Sequence, residues 1–210
     1  MASEAEQSKK GMEILDKVYS SAINGLPTSQ TAIQLANEYL QNNNYDVKKA
    51  SSKMITAQIA KCTTTGFLTG LGGLITLPIA IPADVAGNLY VQIRMIAALA
   101  VMGGLNPHDD SVKTLVYITL VGMSATDIVK QTGIKLGNKL AVQAVKQIPG
   151  KVLVKINQKV GFRLITKFGE KGIINLAKMV PIAGGGVSAI VDLISTKQVA
   201  NRAVDLFIKQ

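Results

Sequence analysis

The side chains that could do covalent or metal chemistry are few. The chain of 210 residues holds one His, His108, and one Cys, Cys62, placed far apart, so neither a His-rich metal site nor a zinc finger can be built from it. His108-Asp109 has the form of the centre of a metal-dependent phosphohydrolase motif, but that chemistry needs further His ligands. The segment from Gly66 to Gly73 lacks the Gly-Lys-Ser/Thr ending of a phosphate-binding loop and does not fit the Gly-x-Gly-x-x-Gly dinucleotide pattern. We therefore expect no catalytic residue, no metal and no cofactor, and read the protein as non-enzymatic. A weaker alternative is an enzyme using Asp84 and Arg94 in an internal pocket. Cys62 reads as a small buried apolar residue, and a single Cys cannot form an internal disulfide, in keeping with a reducing cytoplasm.

The residues with a strong pattern are cationic. The net charge is +10, and the stretch from Lys130 to Lys178 carries that whole excess, with Glu170 its single acid. On a helical wheel Lys135, Lys139 and Lys146 share one side opposite Leu140, Ala144 and Ile148, and Lys167, Lys171 and Lys178 repeat the arrangement. Lys151, Lys155, Lys159 and Arg163 continue at four-residue intervals. A solvated face ordinarily mixes signs. A face of one sign attracts anionic lipid by about 1 kcal/mol for each Lys or Arg near the surface, and an acidic protein partner would be drawn by the same field. Nucleic acid is the poorer match, because only Phe162 and Phe168 supply aromatic rings, Lys outnumbers Arg, and no recognition motif is present.

A second set of charges stands on apolar segments. Asp84 and Arg94 are separated by the same interval as Asp192 and Arg202, too far along one helix for either pair to bridge internally. Pairing across the bundle, Asp84 with Arg202 and Asp192 with Arg94, would satisfy all four as structural buried charges.

The elements that must position these groups read as helices. Ser3 to Glu6 has the form of a capping box, followed by an apolar stripe of Ile14, Leu15, Val18, Tyr19, Ala22 and Ile23 that Gly25-Leu26-Pro27 stops. A second helix is expected from about Ser29 to Leu40 with Ile33, Ala36 and Leu40 inward, then a turn at Asn42-Asn43-Asn44. Asp46 should cap a third helix through Lys61, extending as far as Leu77 if Gly66, Gly70 and Gly73 pack closely against another backbone. From Cys62 to Ala83 no residue carries a formal charge. A fourth helix is expected from near Pro82 to Gly103-Gly104, and a fifth from an Asn106 cap with Pro107 in its first turn to about Gln131.

The apolar element is long enough to span a bilayer. Its Gly, Pro and Thr content and Arg94 near mid-span argue instead for a buried core hairpin. Beyond Thr132, Lys135-Leu-Gly-Asn-Lys139 with Lys146 and Pro149 recurs as Lys167-Phe-Gly-Glu-Lys171 with Lys178 and Pro181, a duplicated helical hairpin. Val152 to Ile156 could be helix or strand on periodicity alone. The last helix is expected from Val187 to Ile208.

Gly-Leu-Gly-Gly-Leu with Pro82-Ala83-Asp84, the apolar helix with Gln92-Ile93-Arg94, Gly161-Phe162-Arg163-Leu164 with Thr166-Lys167, and Pro181 with Asp192 together resemble the bacterial EcsC protein family from about Lys48 onward. That resemblance implies a helical cytoplasmic domain working near a membrane or an ABC transporter; the family has no established biochemical activity. The expected fold is all-α, a compact multi-helix bundle around a Gly-rich apolar helical hairpin, with a duplicated basic helical unit. It is read as one domain, 1–210, in which N-terminal helices 1–45 pack on a main body 46–210. The polar opening has no signal-like apolar run, and the expected location is the cytoplasm, peripheral to the membrane.

Overall fold

The computed structural model describes residues 4–64, 83–123, 148–168 and 187–209. Among them are seven helices and no named strand: α1 (Glu4–Asn24), α2 (Ala32–Gln41), α3 (Val47–Cys62), α4 (Ala83–Met102), α5 (Asp110–Val121), α6 (Gly150–Phe168) and α7 (Val187–Phe207). The all-α expectation holds. The Gly66 to Leu77 arm of the apolar hairpin, with Gly70 and Gly73, lies outside the described residues, as does most of the duplicated unit.

Helix α4 is the element around which the others assemble. Its sequence sets Asp84, Asn88, Gln92 and Arg94 among residues that are otherwise apolar on all sides, a composition that a helix tolerates only when protein or lipid surrounds it. Every residue from Ala86 to Ala100 is buried, and α1, α2, α3, α5 and α7 all pack on it. Val85–Met102 is long and apolar enough to cross a membrane, yet 89% of that span is buried inside the protein. Covered in this way, α4 is a core helix, as the hairpin reading expects of this arm.

Local chemistry explains the boundaries. Thr31 caps α2 through a reciprocal pair, Gln34 N donating to Thr31 Oγ1 at 3.0 Å and Thr31 N to Gln34 Oε1 at 2.9 Å. This box places the start at Ala32, later than the Ser29 expected, and turns Leu35 and Ala32 inward with Ala36 while Ile33 and Leu40 are half-buried. Asp46 accepts from Lys49 N at 2.9 Å, capping α3 as expected. Helix α3 closes at Cys62. Helices α4 and α5 end alike, with Gly104 at φ 79° and Gly122 at φ 74°, and with Leu105 N donating to Ala100 O at 3.0 Å and Met123 N to Ile118 O at 2.8 Å.

Helix α5 is therefore shorter at both ends than the sequence suggests. Asn106 does not cap it; the Asn106 side chain instead accepts from His108 N at 3.1 Å in a turn, and Asp109 holds the cap position. The Val152 to Ile156 stretch is helical, part of α6.

Two contacts fix α1. Tyr19 donates to Pro107 O at 2.5 Å, and Tyr117 donates to Asp16 Oδ1 at 2.8 Å, with Lys113 paired to the same Asp16 oxygen at 2.7 Å. The Tyr19 and Tyr117 rings meet edge to face at 5.5 Å. On its other side α1 lies against α6, where Gly11 faces Gly161 and Ser8 Oγ donates to Gln158 O.

Candidate functional site

Helix α6 separates its two sides cleanly. Ile156, Val160, Gly161 and Leu164 are buried against α1 and α5, while Lys151, Lys155, Lys159 and Arg163 are exposed. A four-residue step advances about 40° around a helix, so the four cations follow a slowly turning strip on the solvent side. Val154, 56% exposed, and Gln158 lie in the same strip, and α6 contains no acidic residue. Lys167 continues the series in α6, but its side chain lies outside the described residues, as do Lys135, Lys139, Lys146, Lys171 and Lys178 altogether.

The second feature is inside the protein. Arg94 is only 2% exposed, the largest side chain so completely buried among the described residues. Its guanidinium donates from Nη2 to Gln58 Oε1 at 2.8 Å, and from Nη1 to Gln30 O at 3.2 Å and to Ser29 Oγ. The Tyr90 ring, one turn earlier in α4, lies with its centroid 5.3 Å from Arg94 Cζ. Burial pushes the Arg94 pKa down and the neighbouring Tyr90 opposes that shift; a guanidinium nevertheless stays protonated in proteins. Lys61, one turn beyond Gln58, is likewise lowered, first by burial and then by the Arg94 charge.

Helix α4 thus carries its cation toward α3 and the loop before α2, where neutral oxygens receive it. Among the described residues no carboxylate is within ion-pair distance of Arg94. The side chains of Asp84 and Asp192 lie outside the described residues. Arg202, expected to be buried, is exposed. Its guanidinium lies beside Gly122, where a Cβ would come within 2.8 Å of Nη1. A long cationic side chain can bury its stem and keep its charge in water near the negative end of a helix, here α5, without any buried partner.

A further polar group joins α4 to α7. Gln92 Nε2 donates to Asn88 Oδ1 at 2.9 Å and to Thr196 Oγ1 at 3.0 Å, and all three residues are buried. Gln58 and Thr196 were not singled out as site residues from the sequence. For Gln58 a signal existed: Ala50, Met54, Gln58 and Cys62 recur every four residues on the buried side of α3, with one amide among apolar groups. His108 is exposed, and no group of three metal-ligating side chains occurs among the described residues.

Compared with known proteins, the chain matches no family model, no curated protein and no solved structure at a significant level.

Proposed function

We propose that the protein is a non-enzymatic, cytoplasmic component of the membrane surface that binds anionic lipid head groups through a basic helical face. The observation that carries this reading is the exposed row of Lys151, Lys155, Lys159 and Arg163 on a helix with no acid. Lys135, Lys139, Lys146, Lys167, Lys171 and Lys178 extend the face in the proposal. Val154 within the strip supports lipid over a purely polar partner, because an apolar side chain among lysines can enter the boundary between head groups and acyl chains. Burial of α4 supports a surface role over a spanning one. Kinship with the EcsC family and a place beside an ABC transporter belong to the same proposal and rest on the sequence motifs alone.

Co-sedimentation with vesicles tests it. Binding to phosphatidylcholine vesicles containing phosphatidylglycerol, absence of binding to phosphatidylcholine alone, and release by salt are the expected results. Equal binding to both vesicle types, or to neither, overturns the lipid reading. Retention of an acidic protein in place of vesicles, lost when the same lysines are changed, would identify the basic face as a protein-docking surface.

A further inference from the structure

The surroundings of Arg94 leave proton donors over. Its two terminal nitrogens are taken by the neutral oxygens of Ser29, Gln30 and Gln58. Among the described residues, Arg94 Nε, Gln58 Nε2 and Tyr90 Oη are buried with no well-aligned hydrogen-bond partner, the Tyr90 hydroxyl approaching the guanidinium closely enough to oppose the fall in its pKa. The first two can only donate, and the third can donate to an anion. They share one neighbourhood: Gln58 Nε2 sits on the same amide whose oxygen receives Arg94, and the Tyr90 ring lies beside the guanidinium. Lys61 adds positive potential to the same region. Among the described residues, the acid that acts on Lys61 is Glu38, which is on the exposed side of α2 and accepts from Gln30 Nε2 at 2.6 Å.

A buried donor without an acceptor costs about 1–3 kcal/mol, more when it is charged, and a buried cation is held best by an opposite charge. The group that would satisfy all three donors accepts hydrogen bonds, carries negative charge and is small. We propose that Arg94, Gln58 and Tyr90 form an internal binding site for a small oxyanion, a carboxylate or a phosphate. This site is separate from the basic face of α6 and does not depend on lipid binding. A free anion and the phosphate of a lipid head group offer the same oxygens, so the probes must tell them apart.

Thermal unfolding of the full chain is followed at constant ionic strength while sodium chloride is replaced by acetate, inorganic phosphate or glycerol 3-phosphate. The expected result is a saturable rise in Tm with at least one probe. Arg94→Gln abolishes that rise, and Tyr90→Phe, which keeps the ring, weakens the apparent affinity about threefold to tenfold. A response to glycerol 3-phosphate alone assigns the site to a head group; a response to acetate or inorganic phosphate assigns it to a free anion. A rise that never saturates is the general effect of excluded salts on folded proteins and overturns the site. So does a saturable rise unchanged in Tyr90→Phe and Arg94→Gln, which would put the ion on surface lysines. If Arg94→Gln does not fold, Tyr90→Phe decides the matter alone.

Discussion

Gly11 of α1 and Gly161 of α6 bring two helix backbones into direct contact: a Cβ on Gly11 would lie 2.0 Å from the Gly161 carbonyl oxygen, and one on Gly161 would lie 2.5 Å from the Ser8 carbonyl oxygen. Neither obstacle is a flexible side chain, so any larger residue at the crossing must push the helices apart. The contact also sets the orientation of α6, because fixing Gly161 and Val160 inward directs Lys155, Lys159 and Arg163 outward.

Gly11→Ala tests the crossing through the sign of its effect. In an unobstructed helix interior the change should stabilise by about 0.5–1 kcal/mol, since Gly is the poorer helix former. Here overpacking of about 1–3 kcal/mol opposes that gain, and a net loss in urea unfolding is expected, with Gly161→Ala behaving alike. A more stable Gly11→Ala would show that the two backbones do not touch.

For the basic face, Lys151, Lys155 and Lys159 changed together to Gln should leave the helical circular dichroism intact, because Gln is a good helix former. At about 1 kcal/mol for each lysine, affinity for phosphatidylglycerol vesicles should fall by about two powers of ten. Undiminished sedimentation of the triple variant would remove α6 from the binding surface.

Gln58 is the acceptor on which the buried guanidinium relies. Gln58→Leu removes it and should cost about 1–3 kcal/mol, whereas Gln58→Glu supplies a carboxylate to the same cation and should retain more stability than the Leu variant. Chemical denaturation at neutral pH gives the order. If the Leu variant matches the parent, Arg94 draws its support from elsewhere.

Tyr19 and Tyr117 make stability sensitive to alkali. Burial raises both pKa values, with Asp109 adding to the effect at Tyr19 and Asp16 at Tyr117. In the unfolded chain a tyrosine loses its proton near pH 10, so the folded state holds more protons above that pH. The stabilisation is complete below about pH 10 and is lost as pH rises beyond it. Tm measured from pH 9 to 11.5 should fall, and Tyr117→Phe should fall less steeply. Parallel curves for parent and variant would show that the phenol does not titrate differently on folding.

The sequence alone determined the helical class, because apolar residues recur at three-to-four spacing in α1 and because caps such as Asp46 and stops such as Gly25 and Gly104 act through adjacent backbone groups. It also determined that α4 had to be enclosed, since a helix whose few polar residues are outnumbered by apolar ones on all sides has no stable place in water. Tertiary structure decided the rest. Thr31 rather than Ser29 starts α2, and Asp109 rather than Asn106 precedes α5, since several adjacent residues were able to cap and only the packed path of the chain selects one. Val152 to Ile156 became helical once Ile156 and Val160 had α1 and α5 to cover them. The spacing shared by the two Asp-Arg pairs made Arg94 and Arg202 look equivalent, but the Arg94 side chain is buried against α3, the Tyr90 ring and the loop before α2 while Arg202 lies exposed beside the end of α5. Gly11 carried no signal of its own in a single polar helix. Its meaning depends on Gly161, a residue far along the chain, and a close approach between two backbones is a property that only both helices together possess.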